Sequence, residues 1–337
     1  MKDQILQAQA QKSLHELRQV SQMLGNDIML VQGAGGNTSC KIDSTMWVKA
    51  SGKLLGHAMQ EEIFVEIDYA KLCRNLDRSN FDISEYVVGS NINLRPSIEA
   101  PLHAIFESPA VIHAHAINSM AALVLQDCKQ YIAGKIGGAF DYIIVDYVAP
   151  GIELARAIKA GIEKAGSGNA GPIVFMKNHG IVIGADNMGE AYSKLLKIEE
   201  LLGFAPRDFG EMASKTHHIE DYSEYEFMPN WQGIAFDQYC QKVLSSGPLF
   251  PDQAVYLGEK VPVLCCLGEA QNEPLVIIEN NGVFRRKNCD ISTTSIIEGL
   301  LRLCTRIPEN ANIEFIGPKE VDFLINWEAE KYRKSQT

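Results

Sequence analysis

Three histidines in two short apolar segments are the residues of this chain best suited to chemistry. His113 and His115 lie in the segment 110–116, and His179 follows the apolar run 172–176. Short apolar segments that contain β-branched residues are typical of buried strands. Because side chains alternate along a strand, His113 and His115 should face the same side. Two imidazoles on one face and a third at another strand end form a ligand set for Zn²⁺, or another divalent ion, that leaves one coordination position open.

An alternation of strands and helices must position these histidines. Apolar residues at helical spacing predict a first helix over residues 3–24. Strands are predicted at 29–31, 46–49, 64–68 and 142–145, and the first of them runs into the glycine-rich turn 33–36. Further helices are predicted at 97–107, where Ser97 is a good N-cap, from about 118, and at 152–165 and 187–204. The pattern predicts an α/β layered domain that ends near residue 206.

The remainder of the chain is interpreted as a linker and a second, smaller α/β unit. Residues 207–226 are polar and charged, include His217 and His218, and form the predicted linker. Within the second unit, 227–337, residues 275–284 resemble residues 173–182 at a constant offset, and each segment continues into a comparable helix. Either such strand–turn–helix units are simply alike, or the second unit is a degenerate repeat in which Asn281 stands where the first has His179. In the second case the chemistry lies in the N-terminal domain alone.

Composition and charge restrict the class of protein. The chain has 337 residues, of which 46% are hydrophobic and 22% charged, as in a soluble globular protein. Its net charge of −11 argues against nucleic-acid binding, and no apolar run approaches the roughly 20 residues that cross a bilayer. The eight cysteines are scattered, without a Cys-x-x-Cys pair, and are expected to be reduced thiols. We therefore expect a cytoplasmic protein whose partner is a small molecule, with neither nucleic acid nor membrane as a partner.

Six short motifs carry a family resemblance over residues 10–205. They are Gly33-Ala34-Gly35-Gly36-Asn37-Thr38-Ser39, Ala50-Ser51-Gly52, Arg95-Pro96-Ser97-Ile98-Glu99 with His103, His113-Ala114-His115, Tyr147-Val148-Ala149-Pro150-Gly151 and Lys177-Asn178-His179-Gly180. In this order and spacing the chain resembles class II aldolases of the aldolase II/adducin type, which include fuculose-phosphate and rhamnulose-phosphate aldolases and ribulose-phosphate 4-epimerase. The resemblance implies a three-layer α/β/α metal-binding domain over residues 1–206.

The resemblance also implies a role for each matching residue. The three histidines fall on the family's zinc ligands, and Glu99 falls on its catalytic acid/base. Five residues fall on positions that hold the substrate phosphate, namely Gly36, Asn37, Ser51, Gly52 and Ser97. Backbone N–H groups of glycine-rich turns and a helix N-terminus suit an anion. His103 should share a helical face with Glu99, and is expected either to orient that carboxylate or simply to pack.

Ile98 departs from the family pattern. Many members have two serines before the acidic residue, so Ile98 removes one hydroxyl donor for phosphate. Lys53 and Arg95 are candidates for compensating positive charge beside the site, unless the substrate carries a carboxylate instead. The simple aldolases of this type also lack a unit like 227–337.

The function that the resemblance implies is Zn²⁺-dependent, reversible aldol cleavage of a small sugar, with a sugar phosphate favoured, through a metal-stabilised enediolate. The alternatives are a sugar-phosphate 4-epimerase or a dehydratase on the same scaffold, or a non-catalytic adducin-like interaction protein. A complete set of three histidines and an acid argues against the last of these. The family takes a proton-donating tyrosine from a neighbouring subunit, which implies a homo-oligomer, a tetramer by resemblance. Tyr131 and Tyr142 lie in about the right region for that tyrosine.

Overall fold

A computed structural model describes residues 2–89, 94–166, 173–210 and 224–336. The first unit contains helices α1 (Lys2–Gly25), α2 (Tyr69–Arg74), α3 (Ala100–Ala104), α4 (Ile117–Leu123), α5 (Cys128–Ile136), α6 (Ile152–Ala165) and α7 (Met188–Leu202). Its strands are β1 (Asn37–Ile42), β2 (Thr45–Lys49), β3 (Phe64–Asp68), β4 (Val87–Val88), β5 (Ala110–Ala114), β6 (Ile143–Val145), β7 (Ile173–Met176) and β8 (Gly180–Ala185).

The second unit contains β9 (Tyr225–Phe227), α8 (Gln238–Ser246), α9 (Pro251–Leu257), β10 (Val263–Leu264), β11 (Leu275–Ile278), β12 (Gly282–Arg286), α10 (Ile291–Cys304), α11 (Pro318–Asn326) and α12 (Glu328–Ser335). None of the described helices combines the length and the apolar character that a bilayer crossing requires.

The first unit is a sheet of eight described strands between two layers of helices, in the order β4-β3-β2-β1-β5-β8-β7-β6. All neighbours are antiparallel except the parallel pair β6 and β7. One face of β5, with Ile112 and Ala114, packs in the core beneath α1, α4, α5 and α7. The opposite face, with Val111, packs against α3 and α6. By alternation His113 lies on the second face, directly beneath the helix that Glu99 precedes.

One predicted strand and one predicted helix of the first unit differ clearly from the structure. The predicted strand 29–31 is instead a turn, because the backbone N–H groups of Leu30 and Val31 donate to Asp27 as α1 ends. The predicted helix 97–107 is only Ala100–Ala104, and Ser97 lies before it rather than capping it. Pro101 sits in the first turn of this helix, where a residue without a backbone N–H is tolerated, and so marks its start.

The second unit has a four-stranded sheet in the order β10-β11-β12-β9. Its first pair is parallel and the other two are antiparallel. The neighbours β6-β7-β8-β5 of the first sheet show the same sequence of orientations. The hairpin turns also correspond, since Asn178 and Asn280 both have positive φ, of 52° and 55°. This is the arrangement that a degenerate repeat predicts, and the repeat stays a prediction.

The predicted linker is only partly described. Its first residue, Arg207, donates its backbone N–H to Thr305 O at 2.7 Å, and the Arg207 guanidinium lies 3.3 Å from the Asp237 carboxylate. The start of the predicted linker therefore packs on the second unit. Strand β9 begins at Tyr225, inside the predicted linker. His217 and His218 lie outside the described residues.

Candidate active site

The three histidines meet at one end of the first sheet. His113 is in β5, His115 directly follows that strand, and His179 lies in the turn between β7 and β8. Their exposed fractions are 0%, 3% and 2%. One ring nitrogen of each lies within 4.8 Å of the others. Among the residues that the structure describes, this is the group whose side chains are placed to hold a metal ion together.

The turn that carries His179 is fixed by its neighbours. Asn178 takes the left-handed conformation, with φ of 52°, and its side-chain amide donates to Leu249 O at 3.0 Å and Glu314 O at 2.7 Å. Gly180 then lets β8 approach β5, because a Cβ there would lie 2.4 Å from Ala114 O. The turn is therefore held on one side by the first sheet and on the other by the second unit.

The imidazole contacts indicate which ring nitrogens face the common centre. His113 Nδ1 lies 3.1 Å from the Ile181 carbonyl, so it is the nitrogen that carries hydrogen, and its Nε2 is left as a lone pair. His115 Nδ1 lies 3.2 Å from an Asp252 oxygen, which assigns the same tautomer. The two Nε2 atoms are 3.1 Å apart. With hydrogen on both Nδ1 atoms, the two Nε2 lone pairs face each other and repel, and a cation between them removes that repulsion, so in this tautomer the donor set fits a divalent ion.

Glu99 faces the histidines from the start of α3. Its two carboxylate oxygens lie 3.2 Å from His179 Nε2 and 3.5 Å from His113 Nε2. The second oxygen also accepts a hydrogen bond from Asn37 Nδ2 at 2.9 Å. Burial raises the pKa of Glu99, but the facing imidazoles lower it by more, so the carboxyl stays ionised at neutral pH. The structure thus brings an ionised carboxylate next to the predicted metal ligands.

His103 contacts Asn37, which in turn contacts Glu99. It is fully buried, its Nδ1 lies 2.9 Å from Ser39 Oγ, and its Nε2 contacts Asn37 Oδ1. Burial lowers the pKa of His103 well below its usual value, which keeps the ring neutral. A ring that donates to Asn37 Oδ1 turns the Asn37 amide so that its N–H group points at Glu99. Asn37 itself is opposite His113 in the neighbouring strand.

A small cavity opens beside Glu99 and is lined by the residues predicted to hold phosphate, Gly36, Asn37, Ser51, Gly52 and Ser97. Gly36 and Gly52 have positive φ, of 60° and 75°, which non-glycine residues rarely adopt. A Cβ at Gly36 would also lie 2.9 Å from His113 O. Ser97 Oγ accepts from the Glu99 backbone N–H at 3.2 Å, so Ser97 also shapes the chain before the carboxylate.

Lys53 and Arg95 were predicted to supply positive charge where Ile98 removes a hydroxyl donor, but their side chains make contacts outside the cavity. Ile98 lines the cavity, as its position beside Ser97 predicts. Lys53 instead forms an exposed ion pair with Glu61 at 3.1 Å. The Arg95 guanidinium lies over the Tyr332 ring, 5.0 Å from its centroid. Lys49 and Arg333 line the cavity instead and supply its positive charge. No sequence motif marks either of them.

Lys49 joins the two turns that were predicted to bind an anion. Its buried ammonium group donates to Ala34 O and to Lys53 O, both at 2.8 Å. Burial, followed by the charge of Arg333, lowers the pKa of Lys49 to about 7. Position 49 ends a strand, where a lysine normally reaches solvent, so the local sequence gives no signal of this burial.

Anion binding in the cavity is expected to weaken as the pH rises through 7. Lys49 is a cation below its lowered pKa of about 7 and neutral above it, whereas an ordinary lysine stays charged to about pH 10. Sulfate keeps a constant charge over this range and serves as the probe. Losing one charge-assisted contact of about 1.5–3 kcal/mol should weaken its binding about tenfold or more between pH 6 and pH 8.5. Lys49→Met should bind sulfate weakly at both pH values, and a wild-type affinity that is flat with pH would contradict the assignment.

The second unit contributes a buried charged cluster to the same cavity. Asp252 is in the first turn of α9, and Glu330 and Arg333 are on α12. Arg333 contacts both carboxylates, with Nε 2.7 Å from Glu330 Oε2. Burial raises the pKa of Asp252, but Arg333 and then His115 lower it by more, to well below its usual range. The only sequence signal for this cluster is the i, i+3 spacing of Glu330 and Arg333, which normally describes a solvated helix face.

Known proteins resemble this chain over a little more than half of its length. The sequence model of the class II aldolase and adducin N-terminal domain family matches residues 15–205. A Bacillus subtilis protein named uncharacterized oxidoreductase YuxG is 30% identical over 206 residues, which is 57% of this chain but only 29% of that protein. An L-fuculose phosphate aldolase of Methanococcus maripaludis is 26% identical over 55% of this chain and 92% of its own length. The solved N-terminal class II aldolase domain of a Thermoplasma acidophilum protein is 24% identical, with a TM-score of 0.47, over 56% of this chain and 90% of that one.

Proposed function

The chain belongs to the class II aldolase and adducin N-terminal domain family, and from that premise we propose that it is a divalent-metal-dependent aldolase that reversibly cleaves a small sugar phosphate. The observation that carries the proposal is the convergence of three buried imidazoles and one ionised carboxylate beside a polar cavity. Burying an imidazole or a carboxylate away from water costs free energy. A bound cation would interact favourably with all four groups and so offset that cost.

His113, His115 and His179 would hold the metal. Three imidazoles suit Zn²⁺, since three protein ligands and one open position are its usual catalytic arrangement. When bound, such an ion supplies Lewis-acid polarisation of a carbonyl oxygen.

Glu99 would move the proton. Asn37 holds its Oε2, and its Oε1 lies 3.2 Å from His179 Nε2, so Oε1 is the oxygen at the centre of the site that would meet the substrate. A carboxylate in this position can remove the proton from the carbon next to the carbonyl in the condensation direction, and can return it to that carbon after cleavage. The proton of the hydroxyl that becomes the aldehyde would pass to the tyrosine that the family resemblance implies. His103, by fixing Asn37, limits the rotation of the carboxylate.

The glycine- and serine-bearing turns support a phosphorylated substrate. Gly36, Ser51, Gly52 and Ser97 surround the cavity with short residues and turn N–H groups, which suit an anion. Lys49 adds a cation at neutral and lower pH. The aldolase relatives are named for a phosphorylated sugar, which agrees with this chemistry.

Other activities of this scaffold stay open to test. A 4-epimerase or a dehydratase would use the same ligands and the same Glu99, and differs in its products. An adducin-like interaction module needs no buried carboxylate beside three imidazoles. The oxidoreductase name belongs to a relative of which the match covers 29%. Localisation in the cytoplasm and a homo-oligomeric, tetrameric assembly are part of the proposal.

The test is a panel of ketose and aldose phosphates and the corresponding free sugars, incubated with metal-replete protein. We expect aldehyde and hydroxy-ketone products from at least one sugar phosphate, and their loss in the presence of a chelator. An epimer with no free aldehyde would identify the epimerase instead. If the purified, metal-replete protein holds less than about 0.2 divalent ions per chain, the enzyme proposal is wrong.

A further inference from the structure

We propose that the second unit completes the metal site, with Asp252 as the positioning residue of His115 and Arg333 as the residue that fixes Asp252. This inference rests on the metal site of the proposed function. It adds residues that lie outside the matched family segment 15–205. It also changes the expectation that the chemistry lies in the N-terminal domain alone.

The contact between Asp252 and His115 is close and buried. Asp252 is 1% exposed, and its Oδ2 lies 3.2 Å from His115 Nδ1. Among the residues described, neither atom forms a hydrogen bond of good angular geometry, so both are buried polar atoms for which this 3.2 Å ion pair is the contact present. A histidine that binds metal through Nε2 usually gives its Nδ1 hydrogen to a carboxylate or carbonyl, which fixes the tautomer and makes the ligand nitrogen more basic. For His113 this partner is the carbonyl of Ile181, and for His115 it is the carboxylate of Asp252.

Gly35 shows that the first unit leaves room for this contact. A Cβ at residue 35 would lie 2.7 Å from Asp252 Oδ2 and 2.8 Å from His115 Nδ1. Any other residue would therefore push the two groups apart or displace the turn. The φ of Gly35 is not positive, so backbone conformation does not account for the glycine. Close approach does account for it, since Asp252 Oδ2 and His115 Nδ1 lie nearest to that Cβ and the Gln32 carbonyl oxygen lies 2.9 Å from it.

Arg333 occupies the other oxygen of Asp252. Its Nη2 contacts Asp252 Oδ1, and its Nε lies near Glu330, so the guanidinium lies between two buried carboxylates. With one oxygen committed to Arg333, Asp252 can offer His115 only the other one. An aspartate in the first turn of a helix also interacts with the helix dipole. That role requires neither burial nor a histidine.

Asp252→Asn is the test of this geometry. Asparagine has one acceptor oxygen, and Arg333, which only donates, will take it. The amide N–H₂ group then faces His115 Nδ1 and favours the tautomer whose hydrogen is on Nε2, the nitrogen needed by the metal. Loss of such a partner typically lowers metal affinity about 10–100-fold, and we expect a loss in that range for Zn²⁺. The Co²⁺-substituted protein should also show a changed ligand-field absorption spectrum.

Glu320→Gln is the matched control, because Glu320 is an exposed acid in the first turn of α11 in the same unit. It should leave the Zn²⁺ affinity and the Co²⁺ spectrum unchanged. Gly35→Ala keeps every charged group and should also weaken Zn²⁺ binding, which keeps the inference testable if Asp252→Asn fails to fold.

The outcomes separate this inference from the proposed function. Wild-type Zn²⁺ affinity in folded Asp252→Asn, or in Gly35→Ala if the former does not fold, overturns the inference and leaves the aldolase proposal intact. If Asp252→Asn binds Zn²⁺ more weakly than the wild-type protein, and the wild-type protein shows no aldol cleavage, the inference is supported and the proposed reaction is wrong. A wild-type chain that binds neither Zn²⁺ nor Co²⁺ overturns both.

Discussion

Glu99→Gln should lower aldol cleavage about 10²–10⁴-fold while the protein keeps its metal. Glutamine has nearly the same shape and can still accept the hydrogen bond from Asn37 Nδ2, so the packing around α3 is retained. It has no basic oxygen, and it places an amide where an ionised carboxylate faces His113 and His179. The loss should appear in kcat more than in KM, because the proton transfer belongs to the transition state.

The measurement is steady-state retro-aldol kinetics at saturating divalent metal, with metal content determined on the same samples. Glu107→Gln removes an exposed carboxylate just beyond the same helix and should leave kcat unchanged. If Glu99→Gln cleaves substrate at the wild-type rate, another group is the base.

His179→Ala should remove most of the metal and with it the activity. The site would keep only two of its three imidazoles, because the β7–β8 turn would no longer contribute a ligand. Two imidazoles bind a divalent ion more weakly than three. Metal binding to the native state stabilises it by about 4 kcal/mol when the free metal is a thousand times the dissociation constant. Wild-type protein should therefore show a clear rise in unfolding temperature with added Zn²⁺, and His179→Ala should show little.

Metal content and thermal unfolding, with and without Zn²⁺, provide the measurement. His57→Ala is a suitable comparison, because the His57 side chain is half exposed and its ion pair, with Glu61 at 3.3 Å, lies far along the chain from the three ligands. It should behave as wild type in both assays. Stoichiometric zinc in His179→Ala would remove this residue from the ligand set.

Much of the first unit follows from local sequence. The helix predicted at 152–165 is Ile152–Ala165, and the alternation in 110–116 places His113 and His115 on one side of a buried strand. The motif resemblance over residues 10–205 is confirmed by the family match over 15–205. These features depend on short-range periodicity and on contiguous motifs, which a single sequence contains.

The remaining features depend on contacts between distant residues. Lys49 is buried because carbonyls of two separate turns receive its ammonium group. Asp252 and Arg333 reach the cavity only when α9 and α12 dock on the first unit, and a charged terminal helix by itself predicts a solvated surface. Helix α3 starts later than the N-cap signal of Ser97 suggests, because Pro101 is tolerated only in the first turn of a helix.

The apolar core around α4 bears on the order in which this chain can fold. Ile117, Met120 and Ala121 of α4 belong to the same buried cluster as Ile297 and Leu300 of α10. While only the first 206 residues have been synthesised, the apolar face of α4 therefore has no α10 to pack against. This helix lies close to His115 in the sequence. Because domains of a growing chain tend to fold from the N-terminus at about 5–20 residues per second, this face waits several seconds for its partner helix. The nascent first half is consequently the stage at which we expect chaperone binding, and metal capture to be completed only after synthesis reaches α12.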